Sequence, residues 1–390
     1  MRDGLRRNSV TILTLACILL LPAAALSGGV RFIWGDLQPG NHAVGLNVST
    51  FADTTGRLLD IVRWYPAAAA KSRWGMTFAG YLALSEGQAD ISRAHLRNQL
   101  ASEISSDPAT VDRQTLDRIL DSRMVAIKEA APLKGHFPLL VWSAHHRTVA
   151  AQSVLSEFLA SHGYVVVFIR PHEGPLLPPY QIASREGRTK VLEQNVRDME
   201  AGVRHLQAIH VITASTSIGV LSWSYAGESA ALFQMRNPEV RLVVGLSSNV
   251  LDGWVYQEGG LQAADRSKLN VPYVVMREEI GANGKPRPMP PVLDHMPVSS
   301  YFVRFNQLAH GNFNVLEGMI PARAGISSVV RWSTSGPAGQ LGYETIARTT
   351  LHFVDSFVKQ NVVGSDPLEN WDWNSGLPEH FVQISRHGGI

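Results

Sequence analysis

The amino-acid sequence predicts an α/β protein with a mostly parallel central sheet of about eight strands and helices on both faces. Short β-rich runs alternate along the chain with longer segments of helical periodicity, which is the pattern of a parallel sheet covered on both sides. Several runs are continuously apolar, as in Val-Val-Val-Phe-Ile at 165–169. A strand that is buried on both faces needs no polar side, so such runs favour a parallel sheet. The hydrophobic share of 45% over 390 residues is ample for its core.

Eight strands and four long helices are expected from these patterns. The strands are predicted at 42–48, 58–65, 137–142, 164–169, 217–222, 241–246, 272–276 and 301–307. The helices are predicted at 148–161, 190–209, 226–235 and 345–360.

Three segments fall outside this alternation. Residues 67–132 have helical pattern and few strand signals, so we expect a helical insertion between early strands. The loop at 281–297 contains the run Lys-Pro-Arg-Pro-Met-Pro-Pro, which is more typical of a rigid surface spacer than of a peptide-docking motif. Residues 362–390 form a C-terminal tail. No linker or repeat divides the chain, so a single domain is expected over 28–390.

The N-terminus has the parts of an export signal. Arg2, Arg6 and Arg7 form a charged start. An apolar run follows over 10–25 and ends in small residues that offer a cleavage site. The run is shorter than the roughly 20 residues that span a bilayer, which favours a cleaved signal over a retained anchor. We therefore expect a signal peptide at 1–27 and an exported, periplasmic or secreted protein of bacterial type.

Composition excludes several function classes. The net charge is only +2, charged residues make up 17%, and no basic run is long enough to follow a phosphate backbone, so we expect no nucleic-acid partner. The only cysteine, Cys17, lies inside the predicted signal. The mature chain would therefore have no disulfide, no cysteine nucleophile and no thiolate metal site.

One serine occupies the kind of turn that exposes a nucleophile. The predicted strand at 217–222 runs directly into Ser-Trp-Ser-Tyr-Ala-Gly, and a helix follows at once. A serine at the tip of such a turn is held in strained backbone geometry with its hydroxyl above the sheet. The flanking positions must be small, and Ser222 and Ala226 satisfy that need where glycines are usual. Ser224 is therefore the candidate nucleophile, and the alternative is that it only caps the helix.

A serine nucleophile needs a base, and the base needs an orienting carboxylate. His310 is the candidate base, because it follows a predicted strand and precedes Gly-Asn in a loop. In sites of this strand–turn–helix type the acid lies between the serine and the histidine in the chain. The residues themselves leave Asp252, Glu278 and Glu279 open, with Asp294 as a remote fourth. Position just after a strand favours the two glutamates slightly.

Short blocks spread over about residues 42–360 carry a family resemblance. They are Val-Arg-Trp-Tyr-Pro at 62–66, Ala-Ser-His-Gly-Tyr-Val-Val at 160–166, the turn around Ser224, Leu-Asp-Gly-Trp at 251–254 and His-Gly-Asn-Phe at 310–313. In these blocks the chain resembles the platelet-activating-factor acetylhydrolase and dienelactone-hydrolase-like branch of the α/β-hydrolase superfamily. The resemblance implies the α/β-hydrolase fold.

The resemblance also implies roles for individual residues. The acetylhydrolases carry their acid in a Leu-Asp-x-Trp block, which matches Asp252, and their histidine in a His-x-Asn-Phe block, which matches His310. The oxyanion would be held by backbone N–H groups of Tyr225 and of the loop after the third strand, at His146 with His145 as the second option. That loop reads Ser-Ala-His-His-Arg, where the family has Ser-His-Gly.

The expected function is that of a serine carboxylic-ester hydrolase acting through a Ser-His-Asp acyl-enzyme mechanism. The resemblance implies small or short-acyl esters, including phospholipid-like ones, a role in lipid degradation and peripheral contact with lipid. No cofactor is expected. No metal is expected either, since the paired histidines have no third ligand near them and hydrolytic metal sites need three. A serine peptidase, an amidase or an acyltransferase on the same scaffold and a non-catalytic binding protein remain alternatives.

Overall fold

The computed structural model describes residues 32–68, 75–86, 91–143, 149–172, 185–251, 266–281, 284–328, 334–359, 366–369, 371 and 377–389. The predicted signal peptide lies outside these residues. No helix within the described ranges combines the length and the apolar character that crossing a bilayer requires.

The described residues contain one sheet of ten strands. In chain order these are β1 (Ala43–Ala52), β2 (Leu58–Ala67), β3 (Ala126–Lys128), β4 (Leu139–Ser143), β5 (Val165–Pro171), β6 (Ile218–Trp223), β7 (Val240–Leu246), β8 (Tyr273–Glu278), β9 (Ser300–Phe305) and β10 (Val382–His387). Across the sheet the order is β10-β9-β8-β7-β6-β4-β5-β2-β1-β3. The strands from β9 to β5 are mutually parallel, and β3 is parallel to β1, whereas the pairs β10–β9, β5–β2 and β2–β1 are antiparallel.

All eight predicted strands are confirmed, and the described residues add two more. The first, β3, is only three residues long and pairs in parallel with β1, so its length is too short for a periodic signal. The second, β10, lies in the segment expected to be a tail and extends the sheet beyond β9. Its apolar alternation covers little more than Val382 and Ile384 before polar residues follow. The mostly parallel sheet of the predicted fold class is confirmed.

Eight α-helices lie among the described residues. They are α1 (Phe78–Glu86), α2 (Arg93–Ile104), α3 (Arg113–Leu120), α4 (Val149–Ser161), α5 (Arg185–Ala208), α6 (Gly227–Arg236), α7 (Ile320–Ala324) and α8 (Gly336–Val354). The four predicted helices correspond to α4, α5, α6 and α8. The predicted helical insertion contains α1, α2 and α3 together with the short strand β3.

The sheet divides the core into two layers because successive side chains of a strand point to opposite faces. In β4, Leu140 and Trp142 pack with α4 and α8, while Leu139 and Val141 pack with α5 and α6. The insertion helices join the first of these layers. Helices therefore cover both faces, and the carboxyl ends of the parallel strands meet at one edge.

A buried carboxylate joins the insertion to the sheet layer. Glu157 of α4 accepts hydrogen bonds from Tyr81 Oη (2.6 Å), Trp34 Nε1 (3.2 Å) and the backbone N–H groups of Val125 and Ala126 (both 3.0 Å). Burial raises the pKa of Glu157 from 4.5 to about 7, although these four donors oppose the shift. The native state therefore binds a proton at this carboxyl more tightly than the unfolded chain does.

Glu157→Gln is expected to change how stability depends on pH. A raised pKa contributes stability at low pH that is lost as the pH rises from about 4.5 to about 7. The amide does not titrate, so any fixed cost of the substitution is the same at every pH. Between pH 4.5 and pH 8 the unfolding free energy of the variant should gain about 3 kcal/mol relative to wild type. Urea unfolding of both proteins across this range measures the difference, and a constant difference would contradict the prediction.

Candidate active site

Ser224 lies at the tip of a strand–turn–helix. The strand β6 ends at Trp223, residues Ser224–Ala226 form one 3-10 turn, and α6 begins at Gly227. Ser224 has φ 56°, in the left-handed region that non-glycine residues rarely adopt. The residue that caps α6 is Ala226, so the alternative in which Ser224 serves as the cap is wrong. The turn is the strained one that the sequence predicts around this serine.

Close packing beneath the turn explains why small residues are needed there. A Cβ on Gly227 would lie 1.9 Å from Ser248 Oγ and 2.4 Å from the backbone nitrogen of Val250. The turn therefore also requires glycine at Gly227, one position after the expected small residue Ala226. Ser222 is fully buried, and its hydroxyl lies within hydrogen-bond distance of Val244 O (3.2 Å) and Ser248 Oγ (3.3 Å), so it is occupied inside the core.

Ser224 and His310 line the same cavity, whose volume is about 550 Å³. Its described walls also include Tyr225, Ser247, Asn249, Arg277, Gly281, Pro286, Arg287, Pro288, Met289, Pro290 and Pro291. The turn after β6, the turn after β7 and the loop between β8 and β9 therefore meet at the carboxyl edge of the sheet. Crevices at this edge are the usual binding sites of open α/β sheets.

The imidazole of His310 is held from several sides. His310 begins a 3-10 turn that follows β9. Asn312 Oδ1 stabilises this turn by accepting hydrogen bonds from the backbone N–H groups of Ala309 and Thr334 (both 2.9 Å). The ring of Trp223 stacks on the imidazole, with centroids 4.9 Å apart and an interplanar angle of 21°. Only 16% of the His310 side chain is exposed.

Among the residues that the structure describes, the side chains of Ser247 and Glu278 approach His310 Nδ1. Ser247 Oγ lies 2.5 Å from it, within hydrogen-bond range, and Glu278 Oε1 lies 4.0 Å from it. Glu278 is the last residue of β8, is fully buried, and accepts a hydrogen bond from Arg287 Nη1 at 3.0 Å. A buried carboxylate thus stands beside the ring nitrogen that an orienting acid would contact.

The other predicted acids have different positions. Glu279 follows Glu278 but is exposed, and only its backbone takes part locally, by pairing with Phe305 and Arg287. Asp294 Oδ1 is hydrogen-bonded to His387 Nδ1 at 2.8 Å, with 54% of its side chain exposed. Asp252 lies outside the described residues. So do His145 and His146 of the expected oxyanion loop, whereas Tyr225 lines the cavity beside Ser224.

The sequence did not predict the contacts made by Ser247 and the proline-rich loop. Residues of that loop form one wall of the cavity, in addition to the surface position expected for it. Arg277 Nη1 donates to Pro288 O (2.8 Å), and Arg277 Nη2 and Arg287 Nη2 both donate to Ser248 O (3.2 and 3.0 Å). The one feature of the sequence that could have indicated these contacts is the charged pair Arg277 and Glu278 at the end of an otherwise apolar strand.

Within the described ranges no three His, Cys, Asp or Glu side chains are grouped closely enough to hold a metal ion. The arrangement at the cavity can instead supply a hydroxyl, an imidazole and a buried carboxylate.

No protein-family model matches the chain, and no curated protein matches it. Among solved structures, a ferulic acid esterase from Streptomyces cinnamoneus is similar, with a TM-score of 0.63. The two share 17% sequence identity, and the match covers 89% of this chain and 98% of that one. Together with the strand order and the strand–turn–helix at Ser224, this likeness shows that the chain has the α/β-hydrolase fold.

Proposed function

We propose that the protein is a serine carboxylic-ester hydrolase that acts on small or short-acyl esters through an acyl-enzyme. The observation that carries the proposal is the shared cavity: Ser224, on a left-handed turn, faces the same space as His310, whose Nδ1 has Glu278 nearby. A nucleophile, a base and an orienting acid in this chain order are what acyl transfer on this fold requires. The esterase that shares the fold supports the same class of reaction.

In the proposed mechanism His310 Nε2 takes the hydroxyl proton as Ser224 Oγ attacks the ester carbonyl carbon. The tetrahedral oxyanion then collapses, the alcohol leaves with the proton from His310, and the acyl group stays on Ser224. Water, deprotonated by His310, releases the acid and regenerates the serine. The backbone N–H of Tyr225 is the proposed oxyanion donor, with a second donor from His146 or His145. Losing one such donor typically lowers turnover by about 10²–10³-fold.

The proposed acid is Glu278, because its buried carboxylate is the acidic group that the described residues bring to His310 Nδ1. Its charge would stabilise the imidazolium that forms during attack. Asp252 is the acid that the resemblance to the acetylhydrolases implies, and it is the competing assignment. Substitution of each carboxylate separates the two.

The proposed substrates are esters whose acyl or alcohol part fits a cavity of about 550 Å³, which lies within the usual range for small-molecule sites. Pro288, Met289 and Pro290 give its loop wall an apolar surface that suits short acyl chains or an aromatic ring. Short-acyl phospholipid-like esters are suggested by the acetylhydrolase resemblance, and aryl esters by the ferulic acid esterase that shares the fold. Export to the periplasm or medium and peripheral contact with lipid belong to the same proposal.

A panel of esters tests the function. We expect the purified protein to hydrolyse p-nitrophenyl acetate or butyrate faster than p-nitrophenyl palmitate, because the cavity is small. Methyl ferulate and a phospholipid with a short sn-2 acyl chain then separate the two proposed substrate classes. Formation of a new ester with an added alcohol would indicate an acyltransferase, and cleavage of p-nitroanilides but not of esters would indicate a peptidase. Failure on every substrate would contradict the proposal and favour a binding protein.

A further inference from the structure

We infer that Ser247 is a positioning residue of this site, whose hydroxyl accepts the Nδ1–H of His310 and orients the imidazole toward Ser224. The inference rests on the proposed function. Among the described residues, the hydroxyl of Ser247 makes the contact at Nδ1 that a carboxylate oxygen makes in the usual triad.

The distances separate the roles of the two neighbours. Ser247 Oγ lies 2.5 Å from His310 Nδ1, which is a short hydrogen bond. Glu278 Oε1 lies 4.0 Å from the same nitrogen, beyond hydrogen-bond range but close enough for its charge to favour the imidazolium. The hydroxyl therefore directs the ring, and the carboxylate stabilises its charged form.

Ser247 is itself held firmly in place. It follows the last residue of β7 and has φ 41°, a conformation in which glycine would be less strained. Its backbone N–H donates to Met276 O at 2.8 Å. Arg287 Nη1 donates to Ser247 O (3.1 Å), to Ser247 Oγ (3.3 Å) and to Glu278 Oε1 (3.0 Å). One guanidinium nitrogen thus bridges the serine and the carboxylate, and a strained backbone presents a hydroxyl at a site where glycine would suit the chain better.

The chemical consequence concerns the tautomer of His310. An acceptor at Nδ1 keeps the proton on that nitrogen and leaves the Nε2 lone pair available to take the proton of Ser224. Without the acceptor, the neutral ring can adopt the other tautomer or rotate, and the imidazolium loses a hydrogen bond. Both effects lower turnover and leave substrate binding almost unchanged.

Two substitutions at one position test the inference. Ser247→Ala removes the hydroxyl and keeps Cβ, while Ser247→Gly removes the hydroxyl and relieves the backbone strain. We expect both variants to lose kcat roughly tenfold to hundredfold with KM unchanged, as for one hydrogen bond to a charged group. The acidic limb of the pH–rate profile should move to lower pH, and Ser247→Gly should melt at a higher temperature than Ser247→Ala, because only glycine relieves the strain at φ 41°. Ser248→Ala is the matched control, because its hydroxyl is bonded to Ser222 Oγ and the Val250 N–H, and it should keep the wild-type pH profile.

The outcomes can be told apart. Wild-type kcat and pH profile in both Ser247 variants would overturn the inference while leaving the proposed function intact. Full activity in Ser247→Gly alone would also overturn it, since the backbone and not the hydroxyl would then matter. An inactive wild type would mean that the proposed function has failed. In that case the downfield imidazole N–H signal in proton NMR still tests the contact between Ser247 and His310. Loss or shift of this signal in both variants would support the contact, and an unchanged signal would refute it.

Discussion

Ser224→Ala is expected to lower turnover of short esters by roughly 10⁴-fold or more while the protein stays folded. The alanine removes the attacking oxygen, and neither His310 nor water can replace it at the same position. Ser224 has φ 56°, a region in which alanine is strained about as much as serine, so the change in stability should be small. Steady-state hydrolysis of p-nitrophenyl acetate and a thermal melt measure the two effects.

Ser222→Ala is the matched control for this variant. It makes the same chemical change two residues earlier, at a buried hydroxyl that bonds to Val244 O and Ser248 Oγ. We expect a moderate loss of stability, about 1 kcal/mol for lost hydrogen bonds, and turnover within tenfold of wild type. Near-wild-type activity of Ser224→Ala would contradict the assignment of Ser224 as the nucleophile.

Glu278→Gln is expected to lower kcat by roughly 10²–10⁴-fold, because turning an orienting carboxylate into an amide costs up to about 10⁴-fold. The substitution removes the negative charge 4.0 Å from His310 Nδ1 and leaves Arg287 without that counter-charge. Asp252→Asn and Glu279→Gln are the comparisons, and the exposed Glu279 should tolerate the change. Circular dichroism of each variant separates lost catalysis from lost structure, since Glu278 is fully buried.

A large loss in Asp252→Asn together with an active Glu278→Gln would contradict the assignment. The acid would then come from the Leu-Asp-Gly-Trp block, as in the acetylhydrolases that the chain resembles. Glu278 would act with Arg287 as a support for Ser247. The Ser247 variants would then show whether the hydroxyl still contributes at His310 Nδ1 beside that acid.

The parts of the fold that the sequence predicted were those with long, uniform patterns. Strands such as β5 and β7 consist mostly of apolar residues because both of their faces are largely buried, and this makes them recognisable. Ser224 was recognisable because its strand, turn and helix are adjacent in the chain. The three residues of β3 offered no such pattern, and they become a strand only through pairing with β1.

The parts of the site that the sequence did not predict depend on contacts between segments that are distant in the chain. Glu278 and Glu279 are neighbours in the sequence, but Glu278 is the last residue of β8, in which every residue is buried, whereas Glu279 lies just beyond the strand and is exposed. Only the exact end of the strand decides which of the two is buried. Ser247 reaches His310 because β7 and β9 end at the same edge with β8 between them. No local pattern marks such a serine. The proline-rich loop likewise becomes a cavity wall only because Arg277 and Arg287 bind it to the turn after β7.

Covalent labelling tests the central claim, that Ser224 is the nucleophile, most directly. The wild-type protein should react with a fluorophosphonate to give a single adduct by intact mass, and peptide mapping should locate that adduct on Ser224. Ser224→Ala should remain unlabelled under the same conditions, and His310→Ala should react far more slowly, because the hydroxyl has lost its base. A wild-type protein that takes up no label, or that carries the label on another serine, would contradict the account.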